Sequence, residues 1–180
     1  MHRLDVVPTL VVIVGPIASG KSTIANALGE RLRAYGRRVA VLDLDEAVET
    51  IGGFVGLPGE RFRQAQMVFG QLVAAWLDQD FDVIAHGPLF QRDEDTALLH
   101  AVPDGIRPRR VRLHATFPVA LERVKADPER LLSSYPEFLK ATYDRVDELL
   151  PTMPPSEWTF DTTTTDAKAI VDHIVEALSN

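Results

Sequence analysis

A run of six uncharged, largely β-branched residues, Thr9-Leu-Val-Val-Ile-Val14, leads directly into Gly15-Pro-Ile-Ala-Ser-Gly20-Lys21-Ser22-Thr23. The run has the length and branching of a strand buried on both faces of a parallel sheet. Beyond it, Ile24, Leu28, Leu32 and Tyr35 recur at helical spacing up to Gly36, a plausible helix stop. Between strand and helix lies G-x-x-x-x-G-K-[ST], the pattern of a loop that wraps phosphate. Gly15 and Gly20 allow dihedrals and close approaches that a Cβ would block. The stretch from Gly15 through Pro16, Ile17, Ala18, Ser19 and Gly20 to Thr23 is then expected to wrap the phosphates, its N–H groups (Pro16 has none) converging on their oxygens. The positive end of the helix starting near Lys21 assists them. Lys21 is expected to reach the β- and γ-phosphates, and the Ser22 hydroxyl to ligate Mg²⁺. A nucleoside polyphosphate, ATP with Mg²⁺, is therefore the expected ligand.

The rest of the chain continues the alternation. Arg38-Val-Ala-Val-Leu-Asp43 reads as a second strand and ends in the acidic cluster Asp43-Leu-Asp45-Glu46. With the first strand and helix it makes a βαβ unit, whose crossover should be right-handed. A short helix is expected over 46–51, then the glycine-rich loop Gly52-Gly-Phe-Val-Gly-Leu-Pro-Gly59. Phe62, Ala65, Phe69, Val73, Trp76 and Leu77 mark one face of a long helix over about 60–79. Phe81-Asp-Val-Ile-Ala85 reads as a third strand, stopped by His86-Gly87-Pro88. A helix over about 92–101, a strand over 110–116 and a helix over 118–126 follow, the last halting at Asp127-Pro128. The spacing predicts a further helix over about 135–149, a fifth strand over Trp158–Asp161, and a closing helix marked by Ile170, Val171, Ile174, Val175 and Leu178. Strands alternating with helices throughout imply an α/β fold, a five-stranded parallel sheet with helices on both faces. No repeat, low-complexity tract or composition shift marks a linker, so residues 1–180 are read as one domain.

Composition narrows the partners. A formal net charge of −7, from 19 basic and 26 acidic side chains, argues against nucleic acid, despite the local cluster Arg107-Pro-Arg109-Arg110. The chain has no cysteine. That excludes disulfides, thiolate metal sites and cysteine nucleophiles, and it fits a reducing compartment. Met1–Pro8 has no long apolar core of the signal-peptide kind. No apolar run approaches the roughly 18 residues of a membrane span. The expectation is a soluble cytoplasmic protein without a membrane partner; its oligomeric state is not legible.

Phosphate-binding loops of this kind serve switches, motors and phosphotransferases. A guanine-specific switch carries Asn-Lys-x-Asp, whereas the two asparagines here, Asn26 and Asn180, lie outside any such motif. The extra coupling elements of a motor are not visible in 180 residues. In a parallel sheet, ligands gather beyond the carboxyl ends of the strands, so Asp43, Asp45 and Glu46 should open on the crevice of the phosphate loop. A hydroxyl acceptor needs a carboxylate near its proton, in line with the γ-phosphate. Asp45 is the candidate for that role, with Asp43 helping the metal through water or fixing the loop. The same cluster also reads as a cap, with Asp45 or Asp43 merely closing helix 46–51.

Gly15–Thr23, the strand-two end Leu44-Asp45-Glu46-Ala-Val-Glu49 and the turn Phe160-Asp161-Thr-Thr163 together resemble the small P-loop kinases. Among these are shikimate kinase, gluconate kinase and, most similar in layout, the chloramphenicol phosphotransferase-like group. The resemblance runs over most of the chain, although only the P-loop is highly specific. It implies a P-loop nucleotide-kinase-like three-layer fold and Asp45 as base for the acceptor hydroxyl. It also implies that the nucleobase lies against the loop after the last strand, at Thr162 and Thr163. Finally, it implies an arginine-bearing lid over about 123–135, with Arg123 and Arg130 as candidates and Lys125 third; Arg123 also counts among the nucleotide contacts. Such cations stabilise charge developing on the phosphoryl group once water is excluded.

One departure stands out. Many P-loop enzymes end the third strand in an acid that holds Mg²⁺ through water, but here the position is His86, and Asp82 comes too early. Either the metal leans on Ser22 with Asp43, or His86 contacts substrate or phosphate; a strand-end histidine satisfied by backbone is the plain alternative. The acceptor pocket should come from the segment over about 46–80, the 87–92 loop and the lid. Arg61, Arg63 and Arg92 are candidates for an anionic acceptor, and Phe54, Phe62 and Phe90 for an apolar one. The expected activity is transfer of the γ-phosphate of Mg·ATP to a hydroxyl of a metabolite, nucleoside or antibiotic. A nucleoside-monophosphate kinase and a non-catalytic ATP-binding module stay open, and a polynucleotide end kinase is disfavoured by the acidity.

Overall fold

The computed structural model describes residues 7–88, 92–127 and 136–179. Its centre is β1 (Leu10–Val14), buried at every residue because successive side chains enter two different cores. Val11 and Ile13 join a cluster with Ile24, Leu28 and Leu32 of α1 (Lys21–Ala34) and Ile170, Val171 and Ile174 of α7 (Ala167–Ser179). Leu10, Val12 and Val14 face the opposite way. They pack with Leu44 and Val48 of α2 (Leu44–Glu49), with Phe69, Val73 and Leu77 of α3 (Gly59–Leu77), and with Leu98 of α4 (Arg92–Leu99). The strand therefore needs apolar side chains at both parities, which is why it reads as a continuous run rather than an alternation.

Around β1 the sheet is completed by β2 (Val39–Asp43), β3 (Asp82–Gly87), β4 (Arg109–His114) and β5 (Trp158–Asp161), in the order β2-β3-β1-β4-β5. All four pairings are parallel. Hence Val14, Asp43, Gly87, His114 and Asp161 all end their strands at one edge, and β1 delivers the phosphate loop to the middle of it. This is the three-layer α/β fold expected. A third apolar cluster lies at that edge. Ala120 and Val124 of α5 (Phe117–Lys125) and Leu139 and Tyr143 of α6 (Pro136–Leu149) pack on Ala18 and Ile17 of the loop.

At the other edge Asp82 is buried and serves structure. It accepts the Thr9 N–H at 2.9 Å and the Arg37 guanidinium at 2.6 Å, so its charge is paired where two strands begin. Two sequence expectations shift. β3 runs on through His86 and Gly87, which pair with Ile13 and Val14; strands on both sides override the local stop signal of His-Gly-Pro. Tyr35, expected on the buried face of the first helix, is 64% exposed and caps the helix end. No helix among the described residues is long and apolar enough to cross a membrane.

Candidate active site

The phosphate loop needs its two glycines for different reasons. Gly20 stands at φ +93°, in the left-handed region. Gly15 instead meets its neighbours closely, since a Cβ there would lie 2.5 Å from Ser19 Oγ and 2.6 Å from the Leu113 carbonyl oxygen. Ala18 also takes a positive φ of 59°, which costs a non-glycine residue about 1–2 kcal/mol. Gly20 caps α1 without a side-chain hydrogen bond, and the first turn carries no acid. Its N–H groups and the positive helix end are thus left for an anion. The Lys21 ammonium donates to the carbonyl oxygens of Gly15 (3.0 Å) and Pro16 (3.1 Å), while Ser22 and Thr23 are exposed. Ser19 is fully buried, and its hydroxyl has no hydrogen-bond partner among the described residues.

On the β4–β5 flank the loop is clasped. The Arg123 guanidinium, near the end of α5, donates to the Ala18 carbonyl (3.0 Å), the Thr162 hydroxyl (3.0 Å) and the Thr162 carbonyl (2.7 Å). The Thr162 hydroxyl lies 3.0 Å from the Ser19 carbonyl oxygen. From α6, the Tyr143 hydroxyl donates to the Ile17 carbonyl at 3.1 Å; burial pushes its pKa up to about 12 against a smaller pull from Arg123. These contacts surround a cleft of about 340 Å³, bounded by Gly20 and Thr23 of the loop, Arg123, Asp127, Thr162 and Asp166. Thr163 has a different task. Its hydroxyl accepts the Thr116 N–H (2.9 Å), and its own N–H donates to Asp161 (2.8 Å), bracing the turn that carries Thr162. Those Thr163 hydrogen bonds hold the exposed Asp161 carboxyl below the usual range.

The β2–β3 flank gathers the titratable groups. Asp43 accepts the Asp45 N–H at 3.0 Å and so caps α2, whose first turn carries Asp45 and Glu46. His86 is Asp43's register partner on the neighbouring strand, and its Nδ1 lies 3.5 Å from Asp43 Oδ1. Burial, then the Lys21 charge, lower the His86 pKa to about 4, so the imidazole is neutral at pH 7. Burial raises the Asp43 carboxyl, and the Asp45 N–H and Lys21 oppose it. Lys21 is thus electrically coupled to both residues, and Asp45 and Glu46 to His86.

The remaining candidates are more dispersed. Arg61 and Arg63 are exposed near the start of α3, and Phe54 meets Phe62 at a centroid distance of 5.9 Å beside them. Arg92 begins α4. Arg130, Phe90 and most of the expected lid lie outside the described residues. No three His, Asp or Glu side chains among the described residues form a cluster able to hold a metal alone. Ser22 and Asp43 offer the hard oxygen donors that suit Mg²⁺ shared with phosphate. Sequence reading missed Tyr143, Thr116, Asp127 and Asp166. The spacing of Leu139 and Tyr143 signals a buried helix face, but nothing in it names the Ile17 carbonyl as partner.

With this geometry in place, comparisons add the following. The family described as AAA domain matches residues 10–151. Among curated proteins none matches. Among solved structures, a sugar kinase from Janibacter sp. HTCC2649 superposes with a TM-score of 0.70 at 18% identity, covering 96% of this chain and 95% of that one. A gluconokinase from Sinorhizobium meliloti 1021 gives 0.66 at 19%, over 96% and 93% of the two chains. Shikimate kinase from Acinetobacter baumannii, in complex with shikimate, gives 0.64 at 22%, again over 96% and 93%. At such identities the likeness establishes a shared fold.

Proposed function

The chain belongs to the AAA domain family, and on that premise we propose that it is an ATP-dependent phosphotransferase acting on a hydroxyl of a small molecule. One observation carries this reading. The Lys21 charge acts on both Asp43 and His86, so the phosphate loop and the acidic end of β2 share one electrostatic neighbourhood. The fold shared with sugar, gluconate and shikimate kinases supports it.

In this reading the uncapped start of α1 and the backbone of the loop bind the β- and γ-phosphates. The base and ribose occupy the cleft between Arg123, Thr162 and Asp166. Lys21 exchanges its carbonyl partners for phosphate oxygens and neutralises charge that develops there. Asp45, in the first turn of α2, orients the acceptor hydroxyl and takes its proton as that oxygen bonds the γ-phosphorus and the bond from the γ-phosphorus to the β–γ bridging oxygen breaks, releasing ADP. Ser22 and Asp43 would hold Mg²⁺, Asp43 through water. Bound Mg²⁺ supplies charge neutralisation between the β- and γ-phosphates. The segment over 46–80 forms the acceptor side.

The test is phosphate transfer from Mg·ATP to a panel of sugars, sugar acids, nucleosides, aminoglycosides and phenicols, read by mass of the product, with Lys21→Ala as the blank. A phosphorylated alcohol is the expected product. Tight ATP binding without any transfer would favour a binding module instead, and transfer confined to nucleoside monophosphates would replace the hydroxyl reading.

A further inference from the structure

His86 is 3% exposed, and its Nδ1 has no hydrogen-bond partner among the described residues. Leaving a buried polar atom in that state is costly, so the arrangement around it matters. Asp43 Oδ1 lies 3.5 Å from it. That same oxygen accepts the N–H of Asp45, so it links the end of β3 to the first turn of α2. The next residue adds a second, independent contact. A Cβ on Gly87 would lie 2.6 Å from Leu44 Cβ, and Leu44, the first residue of α2, is fully buried. Two consecutive residues of β3 therefore touch two consecutive residues at the start of α2: His86 faces the cap, and Gly87 admits the helix. At its other end α2 is closed by the N–H groups of Gly52 and Gly53, which donate to the carbonyls of Glu49 and Val48, and its Leu44 and Val48 pack on β1 and α3, so the contacts of His86 and Gly87 act on the first turn.

We propose that His86 is a positioning residue: as the Nδ1–H tautomer facing Asp43 it orients that carboxylate, seats α2, and so fixes Asp45 relative to the phosphate loop. The inference rests on the reading of Asp45 as the acceptor's base. A neutral imidazole suits the place, since burial first and the Lys21 charge second disfavour a cation there. A carboxylate at 86 would instead stand beside Asp43 and repel it. In this chain the end of strand three thus sets the geometry of the acid on strand two. Shortening the 3.5 Å contact to a hydrogen bond of about 2.9 Å needs only a small adjustment.

Three substitutions separate the roles of the ring nitrogens, because an Asn amide nitrogen reaches the position of Nδ1 and a Gln amide nitrogen that of Nε2. His86→Leu and His86→Gln are expected to lower kcat about tenfold or more, a misplacement effect, with ATP affinity unchanged. His86→Asn should restore kcat to within about threefold of the parent. Independently of turnover, the Asp45 amide, measured by NMR hydrogen exchange, should exchange about tenfold faster in His86→Leu and His86→Gln but not in His86→Asn. Long-range ¹H–¹⁵N spectra of the parent should show the Nδ1–H tautomer. An Nε2–H tautomer, rescue by Gln in place of Asn, or parental Asp45 exchange in all three variants overturns the proposal. Should His86→Leu fail to fold, the Asn and Gln pair still decides it. If Asp45→Asn proves fully active while the exchange pattern holds, the catalytic reading of Asp45 falls and the coupling of His86 to α2 stands.

Discussion

The two flanks of the phosphate loop are built on opposite principles. On the β4–β5 side, Arg123, Thr162 and Tyr143 take up the carbonyls of Ala18, Ser19 and Ile17, and neutral or permanently cationic donors do the holding. On the β2–β3 side titratable groups gather instead: Lys21 acts on Asp43 and His86, and Asp45 and Glu46 act on His86. Buried polar atoms without a hydrogen-bond partner among the described residues occur on both sides, His86 Nδ1 and Gln66 Nε2 of α3 here, Arg112 Nε and Ser156 Oγ beside β4 and β5. A site for a constant ligand is best pre-organised by saturated hydrogen bonds, whereas a site for proton transfer needs groups whose charge can respond. This asymmetry suits the proposed reading, in which the nucleotide belongs to the first flank and the chemistry to the second.

That division can be broken by substitution. Lys21→Ala, at the junction, should lose transfer by about 10³-fold and weaken ATP binding by calorimetry; retained turnover would dissolve the division altogether. Asp45→Asn should lower kcat by about 10² while the ATP dissociation constant stays put, as befits the second flank alone. Arg123→Met should do the reverse. It leaves the carbonyls of Ala18 and Thr162 without their donor, so ATP binding weakens and unfolding in urea costs about 1–3 kcal/mol less, with the Asp45 amide exchange unchanged. If kcat fell and binding did not, Arg123 would belong to the phosphoryl group rather than to the nucleotide.

The smallest effect sharpens the picture at high pH. Tyr143 is raised from 10.0 to about 12 in the folded chain. Its contribution is fully present below pH 10, where both states hold the proton. Between pH 10 and 12 the unfolded chain loses the proton first, so stability falls as pH rises through that window. Tyr143→Phe should cost about 1 kcal/mol at pH 8 and flatten the alkaline limb relative to the parent; identical limbs in the two proteins would remove the hydrogen bond to Ile17 from the account.

Much of this was legible in one dimension, and unevenly so. The phosphate loop, the strand before it and the helix after it are local: their residues are consecutive, and glycine, β-branching and helical spacing act within a few positions. The alternation of strands and helices restricts the sheet to a parallel one, and the kinase-like fold came from the resemblance carried by the phosphate loop, the end of strand two and the turn after strand five. Asp43's capping of α2 was also open to a sequence reader as one of two choices, because an Asx cap spans two residues. His86 was visible only as an oddity. Its significance depends on β3 lying between β1 and β2, a strand order that no local pattern states.

What the sequence alone determined, then, is the part of the protein whose physics is short in range: a βαβ start, a glycine-shaped anion cradle, and acids at the end of the second strand. Tertiary structure decided the rest. It brought Arg123 across 105 positions to Ala18 and Tyr143 across 126 to Ile17, and it set His86 beside Asp43. These partners are chosen by geometry. A guanidinium or a phenol hydroxyl donates to any suitably placed carbonyl, so its side-chain type announces a capacity for hydrogen bonding, and only the folded sheet says where that capacity is used.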